Sequence, residues 1–140
     1  MSRVFWDTNL FVYLFEEYGG FSKRVTKVRD AMLARGDQLV TSTLTLGEVL
    51  VKPLEQGNEE LAQKYEDAIM ATSLMVPFDA RAARVYAGLR RDRSIRAPDA
   101  IQLACAAAVG VDLFITNDTY LLSKRVTGIQ FIVPLDRAPL

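Results

Sequence analysis

The 140-residue chain contains no histidine, and this absence limits the chemistry open to it. A histidine general base, a Ser-His-Asp or Cys-His nucleophile and a zinc site built on imidazole are all excluded. The sole cysteine, Cys105, excludes an internal disulfide, and its apolar neighbours favour a packed hydrophobic role. If the chain is an enzyme, carboxylates that hold a hard metal ion are therefore the leading catalytic groups.

The sequence also lacks any long apolar run and any net charge. No run approaches the roughly 20 residues that span a bilayer, and the N-terminus lacks the apolar segment of a signal peptide. We therefore expect a soluble, cytoplasmic protein with no membrane contact, and the length favours a single domain over residues 1–140. The 17 basic and 17 acidic residues cancel, which argues against a broad electrostatic coating of nucleic acid.

One local segment is nevertheless strongly basic. Residues 81–96 contain a single acid, Asp92, against six arginines: Arg81, Arg84, Arg90, Arg91, Arg93 and Arg96. Such a segment is more often a solvated helix face than an RNA-binding groove, and the sequence leaves both interpretations open.

Apolar strand patterns alternate with helical patterns along the chain. The predicted strands cover residues 3–7, 38–41, 73–78, 112–116 and 129–133. A first helix is predicted after the turn at residues 7–9, and further helices over residues 22–35, 43–56, 59–71 and 97–109. Another helix should begin after Asp79, which would be its N-cap. Pro53 should kink or end its helix. This order predicts an α/β fold, a three-layer sandwich whose central, mainly parallel sheet is flanked by helices.

Four acids fall where predicted strands end or predicted helices begin. Asp7 ends the first strand and Asp118 follows the fourth, while Glu48 and Asp99 lie near helix starts. Because sites on parallel sheets form at the carboxyl ends of strands, we expect these carboxylates to converge. Crowded carboxylates repel one another and usually need a cation, and Mg²⁺ or Mn²⁺ is the natural match. These ions hold phosphate oxygens and activate water, which is the chemistry of phosphodiester hydrolysis.

Each of these acids also has a structural interpretation when it is taken alone. Asp7 and Asp118 suit turns or helix caps, and Asp99 suits the positive end of a helix dipole. Glu48 lies three residues after Thr45, the spacing of a capping box. The case for a site depends on all four acids occurring in order at the expected ends of elements.

Several motifs, in order across essentially the whole chain, resemble the PIN domain family. They are Phe5-Trp6-Asp7-Thr8-Asn9, then Glu48, then Pro98-Asp99-Ala100-Ile101-Gln102-Leu103-Ala104, then Phe114-Ile115-Thr116-Asn117-Asp118. Within that family the chain most resembles the VapC-like toxins of prokaryotic toxin–antitoxin pairs.

The resemblance implies an endoribonuclease that depends on Mg²⁺ or Mn²⁺ and leaves a 5′-phosphate. By position, the acidic metal ligands and catalytic residues would be Asp7, Glu48, Asp99 and Asp118. Thr116 would support the site, and Asn9 would assist near the first acid. The resemblance further implies a homodimer, an RNA substrate and a cognate antitoxin that covers the active site.

Three other functions compete with this interpretation. A phosphatase of the haloacid-dehalogenase type would use Asp7 as nucleophile, but it expects a second aspartate where Asn9 stands. A receiver-type signalling module expects adjacent acids at the end of the first strand and a lysine after the fifth, and the chain has neither. An interaction protein with an inert acidic pocket is the third alternative.

Overall fold

A five-stranded sheet forms the centre of the computed structural model, which describes all 140 residues. Numbered along the chain, the strands are β1 (Arg3–Trp6), β2 (Gln38–Ser42), β3 (Leu74–Val76), β4 (Val111–Ile115) and β5 (Ile129–Val133). They lie in the order β3-β2-β1-β4-β5, and every neighbouring pair is parallel. The predicted parallel α/β sheet is thereby confirmed.

Six helices connect or follow the strands. They are α1 (Thr8–Phe15), α2 (Gly20–Arg35), α3 (Thr43–Glu55), α4 (Glu59–Thr72), α5 (Ala80–Leu89) and α6 (Ala97–Val109). Two short 3₁₀ turns lie at Thr119–Leu121 and Leu135–Arg137. Asp79 caps α5 as predicted, since its carboxylate accepts from the backbone N–H of Ala82 at 3.0 Å. None of the helices combines the length and apolar character needed to cross a bilayer.

The two faces of the sheet bury separate apolar cores, which confirms the predicted three layers. Successive strand residues point to opposite faces, so Val4 and Trp6 pack against α1–α4 while Phe5 packs against α5 and α6. Phe5 stacks on Phe114 of the neighbouring strand with ring centroids 4.9 Å apart. Cys105 is fully buried in the α6 core, as its apolar neighbours predicted.

Two secondary-structure elements, α3 and β3, end close to a proline and differ in their bounds from the sequence expectation. Pro53 lies in the last turn of α3, and the helix continues for two residues beyond it to Glu55, one residue short of the predicted end. The third strand is shorter than residues 73–78 and ends at Val76. Pro77 follows it and has no N–H to extend the ladder with β2.

The direction in which strands are added reverses at β1. The chain first builds β2 and β3 on one side of β1 and then β4 and β5 on the other. In open parallel sheets, a crevice forms at the carboxyl ends of the strands where this reversal occurs. Asp7 follows β1 and Thr116 follows β4, so both residues lie at this crevice.

Candidate active site

Asp7 is held at the end of β1 by hydrogen bonds to both carboxylate oxygens. The residue has extended backbone angles and is the N-cap of α1, so its Oδ1 accepts from the backbone N–H of Thr8 at 2.8 Å. Its Oδ2 accepts from the hydroxyl of Thr116 at 2.7 Å. Asp7 is only 8% exposed, and burial raises its pKa although both bonds oppose the rise. The charges of Glu48 and Asp118 raise the pKa further.

Thr116 connects the first acid to the last. Its fully buried hydroxyl donates to Asp7 and accepts from the backbone N–H of Asp118 at 3.0 Å. Asp118 in turn caps the 3₁₀ turn that follows, accepting from the backbone N–H of Tyr120 at 3.0 Å. Thr116, the predicted supporting residue, therefore lies between Asp7 and Asp118 and bonds to both through one hydroxyl.

Asp99 lies in the first turn of α6, where burial and two acidic neighbours raise its pKa. The pKa of Asp99 rises to about 7, first because of burial and then because of a hydrogen bond with Asp118 and the charge of Asp118. The charge of Asp7 adds to this rise. The guanidinium of Arg96 opposes it, with Nε 3.9 Å from Asp99 and Nη2 3.7 Å from Asp118. The charges of Asp7 and Asp118 both raise the pKa of Asp99, so these three carboxylates lie within electrostatic range of one another and form the acidic cluster.

Glu48 reaches this cluster from α3 through a hydroxyl. Its Oε1 accepts from the Thr8 Oγ1 at 2.6 Å. The capping-box interpretation of Glu48 is wrong, because the N-cap of α3 is Ser42 and the helix has already begun at Thr43. Glu48 is exposed, unlike Asp7, and lies at the solvent side of the crevice.

The donor set suits a hard divalent cation, although the side chains do not yet surround one point. No three cysteine, aspartate or glutamate side chains in the chain lie close enough to hold a metal ion as they stand. The carboxylates repel one another because their charges are alike. In addition, Glu48 is bonded to the Thr8 hydroxyl and Asp118 is paired with Arg96. Carboxylate and hydroxyl oxygens are nevertheless the ligands that Mg²⁺ and Mn²⁺ prefer, and a cation would relieve the repulsion.

Two further residues bond to the site, whereas one predicted residue forms no hydrogen bond there. Gln102, which is 2% exposed, donates from Nε2 to the hydroxyls of Thr45 at 2.7 Å and Thr8 at 3.1 Å. In the sequence, Gln102 stands out as the one polar residue after the first turn of an otherwise apolar helix. Arg96 is the other addition. Asn9 is exposed in the first turn of α1 and forms no hydrogen bond with the four acids.

The basic segment divides between a helix and a loop. Arg81 and Arg84 lie on α5, the other arginines follow its last turns, and all six are exposed. Arg90 donates to the carbonyl of Ile95 at 3.1 Å and shapes the loop. Only Arg96 reaches the acidic cluster, so the segment is neither one solvated helix face nor one continuous groove.

Residues 4–126 match the PIN domain family. The chain belongs to the PIN domain family. PIN domains are nucleases, so this assignment supports a hydrolase that breaks phosphodiester bonds and decides against the dehalogenase and receiver interpretations. No curated protein matches the sequence.

Solved structures from toxin–antitoxin complexes share the fold of this PIN domain. VapBC2 from Rickettsia felis, bound to a promoter DNA fragment, matches with a TM-score of 0.74 and 18% identity, covering 94% of this chain and 98% of that one. DNA-bound VapBC from Salmonella typhimurium matches with a TM-score of 0.74 and 16% identity over 96% and 99%. VapBC-5 from Mycobacterium tuberculosis matches with a TM-score of 0.61 and 19% identity over 95% and 99%. At these identities the likeness concerns the fold, and it agrees with the resemblance to VapC-like toxins.

Proposed function

We propose that this PIN domain is a metal-dependent endoribonuclease and the toxin of a type II toxin–antitoxin pair. The observation that carries the proposal is the gathering of Asp7, Asp99 and Asp118 at the β1–β4 crevice, with Glu48 bound at its edge through Thr8. Burial is the main cause of the raised pKa values of Asp7 and Asp99, and the charges of neighbouring acids add to the rise; a divalent cation would offset both effects.

In this proposal the four carboxylates bind Mg²⁺ or Mn²⁺ and are the catalytic residues. The bound ion would supply a Lewis acid for a phosphate oxygen and lower the pKa of a water molecule. The Thr116 hydroxyl orients the carboxylate of Asp7, and it also fixes the backbone of Asp118 by accepting from its N–H. In the metal-free protein the pKa of Asp99 is about 7, so a share of its carboxyl groups is protonated at neutral pH and must lose that proton to bind a cation.

An RNA substrate, an antitoxin partner and a homodimer complete the proposal. Support for the partner comes from the neighbouring folds, which belong to VapBC complexes. RNA is favoured as the substrate by Arg96, whose exposed guanidinium lies beside Asp99 and Asp118 and supplies local positive charge in a neutral protein. Light scattering of the purified protein should give twice the chain mass of 15.6 kDa. A cytoplasmic site of action belongs to the same proposal.

A cleavage assay with purified protein tests the nuclease. Structured RNA is incubated with the wild type in Mg²⁺, in Mn²⁺ and in EDTA, and the same is done with Asp7→Asn and Asp99→Asn. We expect cleavage to need the metal and to disappear in both variants while their circular dichroism stays native.

Asp112→Asn is the matched control. The carboxylate of Asp112 accepts from the backbone N–H of Arg3 at 2.8 Å at the opposite end of the sheet, and asparagine can keep that bond. This variant should cleave as the wild type does. Intact RNA under every metal condition would reject the nuclease and favour an interaction domain with an inert pocket.

A further inference from the structure

Gln102 is a buried amide whose hydrogen-bonding groups are committed to the candidate site. It lies on α6, nearly one turn after Asp99, among alanine, leucine and cysteine side chains. A buried amide is costly unless it is bonded. Here its Oε1 accepts from the hydroxyl of Ser42, and its Nε2 donates to Thr45 at 2.7 Å. The amide therefore ties α6 to the start of α3.

The same Nε2 group also faces the first acid. It lies 3.1 Å from Thr8 Oγ1 and 3.4 Å from Asp7 Oδ1, so the amide hydrogen that Thr45 does not take points toward the end of β1, where these two oxygens share it. Because Thr8 Oγ1 accepts from Gln102, its own hydrogen is free to donate to Glu48 at 2.6 Å. The bonds thus run in one direction, from Ser42 through Gln102 and Thr8 to Glu48.

The orientation of the amide follows from its two ends. Turning it over would place the carbonyl oxygen of Gln102 toward the Asp7 carboxylate, where lone pairs repel. It would also place the NH₂ group against the Ser42 hydroxyl, whose oxygen already accepts from the backbone N–H of Thr45 at 3.4 Å. Ser42 and Asp7 together therefore keep the donor side of Gln102 toward Thr8.

We propose that Gln102 is a positioning residue for the metal site: it supports Asp7 directly and sets the direction of Glu48 through Thr8. The inference rests on the proposed function and extends it to residues that carry no charge. Glu48 gains most from this arrangement, because it is exposed and lies on α3, where no other acid of the site lies. Without the Gln102 bond, the Thr8 hydroxyl could turn to Thr45, which lies 3.4 Å away.

Mn²⁺ binding without RNA tests the inference. Calorimetry is performed on the wild type, Gln102→Met, Thr8→Val and Thr8→Ser, at a temperature where each variant is folded. Methionine keeps the length of glutamine without its amide, and valine keeps the shape of threonine without its hydroxyl. We expect Gln102→Met and Thr8→Val each to weaken Mn²⁺ binding by about 10-fold or more, the usual effect of losing a partner that orients a ligand. Thr8→Ser should restore most of the affinity lost in Thr8→Val.

The control and the double variant separate positioning from general stability. Asp79→Ala removes the N-cap of α5 outside the network and should leave Mn²⁺ affinity unchanged while lowering thermal stability. Because Gln102 acts on Glu48 through Thr8, Gln102→Met combined with Thr8→Val should weaken binding by less than the product of the single effects. If Gln102→Met does not fold, the Thr8 pair carries the test, since Thr8 is only partly buried.

The outcomes for Gln102 and for the nuclease are distinguishable. Wild-type Mn²⁺ affinity in both Gln102→Met and Thr8→Val, or an equal loss in Asp79→Ala, would overturn the positioning role while leaving RNA cleavage by the wild type in place. A wild type that binds Mn²⁺ in a manner dependent on Gln102, yet cleaves no RNA, would overturn the nuclease and retain the positioning role. A wild type that binds no Mn²⁺ would overturn both.

Discussion

Replacing Asp99 with asparagine should make the metal-free protein more stable, although it removes a proposed catalytic group. The pKa of Asp99 rises from 3.8 to about 7 on folding, so ionising this carboxyl opposes the folded state. A rise of about 3 units corresponds to about 4 kcal/mol at 1.36 kcal/mol per unit. Solvent at the open side of the crevice screens this cost, and we reduce it to about 1–2 kcal/mol. Asparagine has a similar shape and never ionises, so it avoids the cost.

The sign of the pH dependence makes this prediction specific. A carboxyl whose pKa is raised in the folded state stabilises the fold least at high pH, and its penalty grows as pH rises from about 4 to about 7. Urea denaturation in EDTA should therefore show a larger advantage for Asp99→Asn at pH 8 than at pH 5, by about 1 kcal/mol. An advantage of equal size at both pH values, or a variant less stable than the wild type at pH 8, would refute the reasoning.

Three further predictions concern the same cluster. Thr116→Val removes the hydroxyl that bonds both Asp7 and Asp118, so kcat for RNA cleavage should fall about 10-fold and the free energy of unfolding by about 1 kcal/mol. Thr116→Ser keeps the hydroxyl and should keep most of the activity, and an unchanged kcat in Thr116→Val would contradict this prediction. Mn²⁺ affinity, measured by calorimetry, should fall about tenfold per pH unit below pH 7, because Asp99 must release its proton; a flat profile would argue against Asp99 as a ligand. Arg96→Gln should move the midpoint of that profile to higher pH, since the guanidinium lowers the pKa of Asp99; a shift to lower pH would contradict the ion pair.

Most of the fold could be predicted because the strands are short, apolar and buried. Phe5 and Phe114 lie in runs that must pack on both faces, so the runs themselves locate β1 and β4. The helix ends were less accessible. Pro53 lies in the last turn of α3, and the sequence alone does not indicate at which residue near the proline the helix ends. Pro77, by contrast, indicates the end of β3 in the sequence itself, because a proline has no N–H to bond with the neighbouring strand.

The candidate site was predictable where an acid follows a strand and less so where it lies on a helix. Asp7 and Asp118 lie at the same edge of the sheet because they follow the adjacent parallel strands β1 and β4. The partner of Glu48 depends on the packing of α1 against α3, so the pattern around Thr45 favoured a cap that does not form. Gln102 was visible as an isolated polar residue, but its direction toward Thr8 comes only from the tertiary structure.

The central claim is that the four carboxylates hold a divalent cation. Crystals of the wild type grown with Mn²⁺ and measured at the manganese absorption edge test it most directly. We predict an anomalous peak at the β1–β4 crevice, about 2.0–2.4 Å from carboxylate oxygens of Asp7, Glu48, Asp99 and Asp118, and its loss in crystals of Asp7→Asn. Fully ordered carboxylates with no anomalous peak among them, at saturating Mn²⁺ and pH 8, would contradict the account.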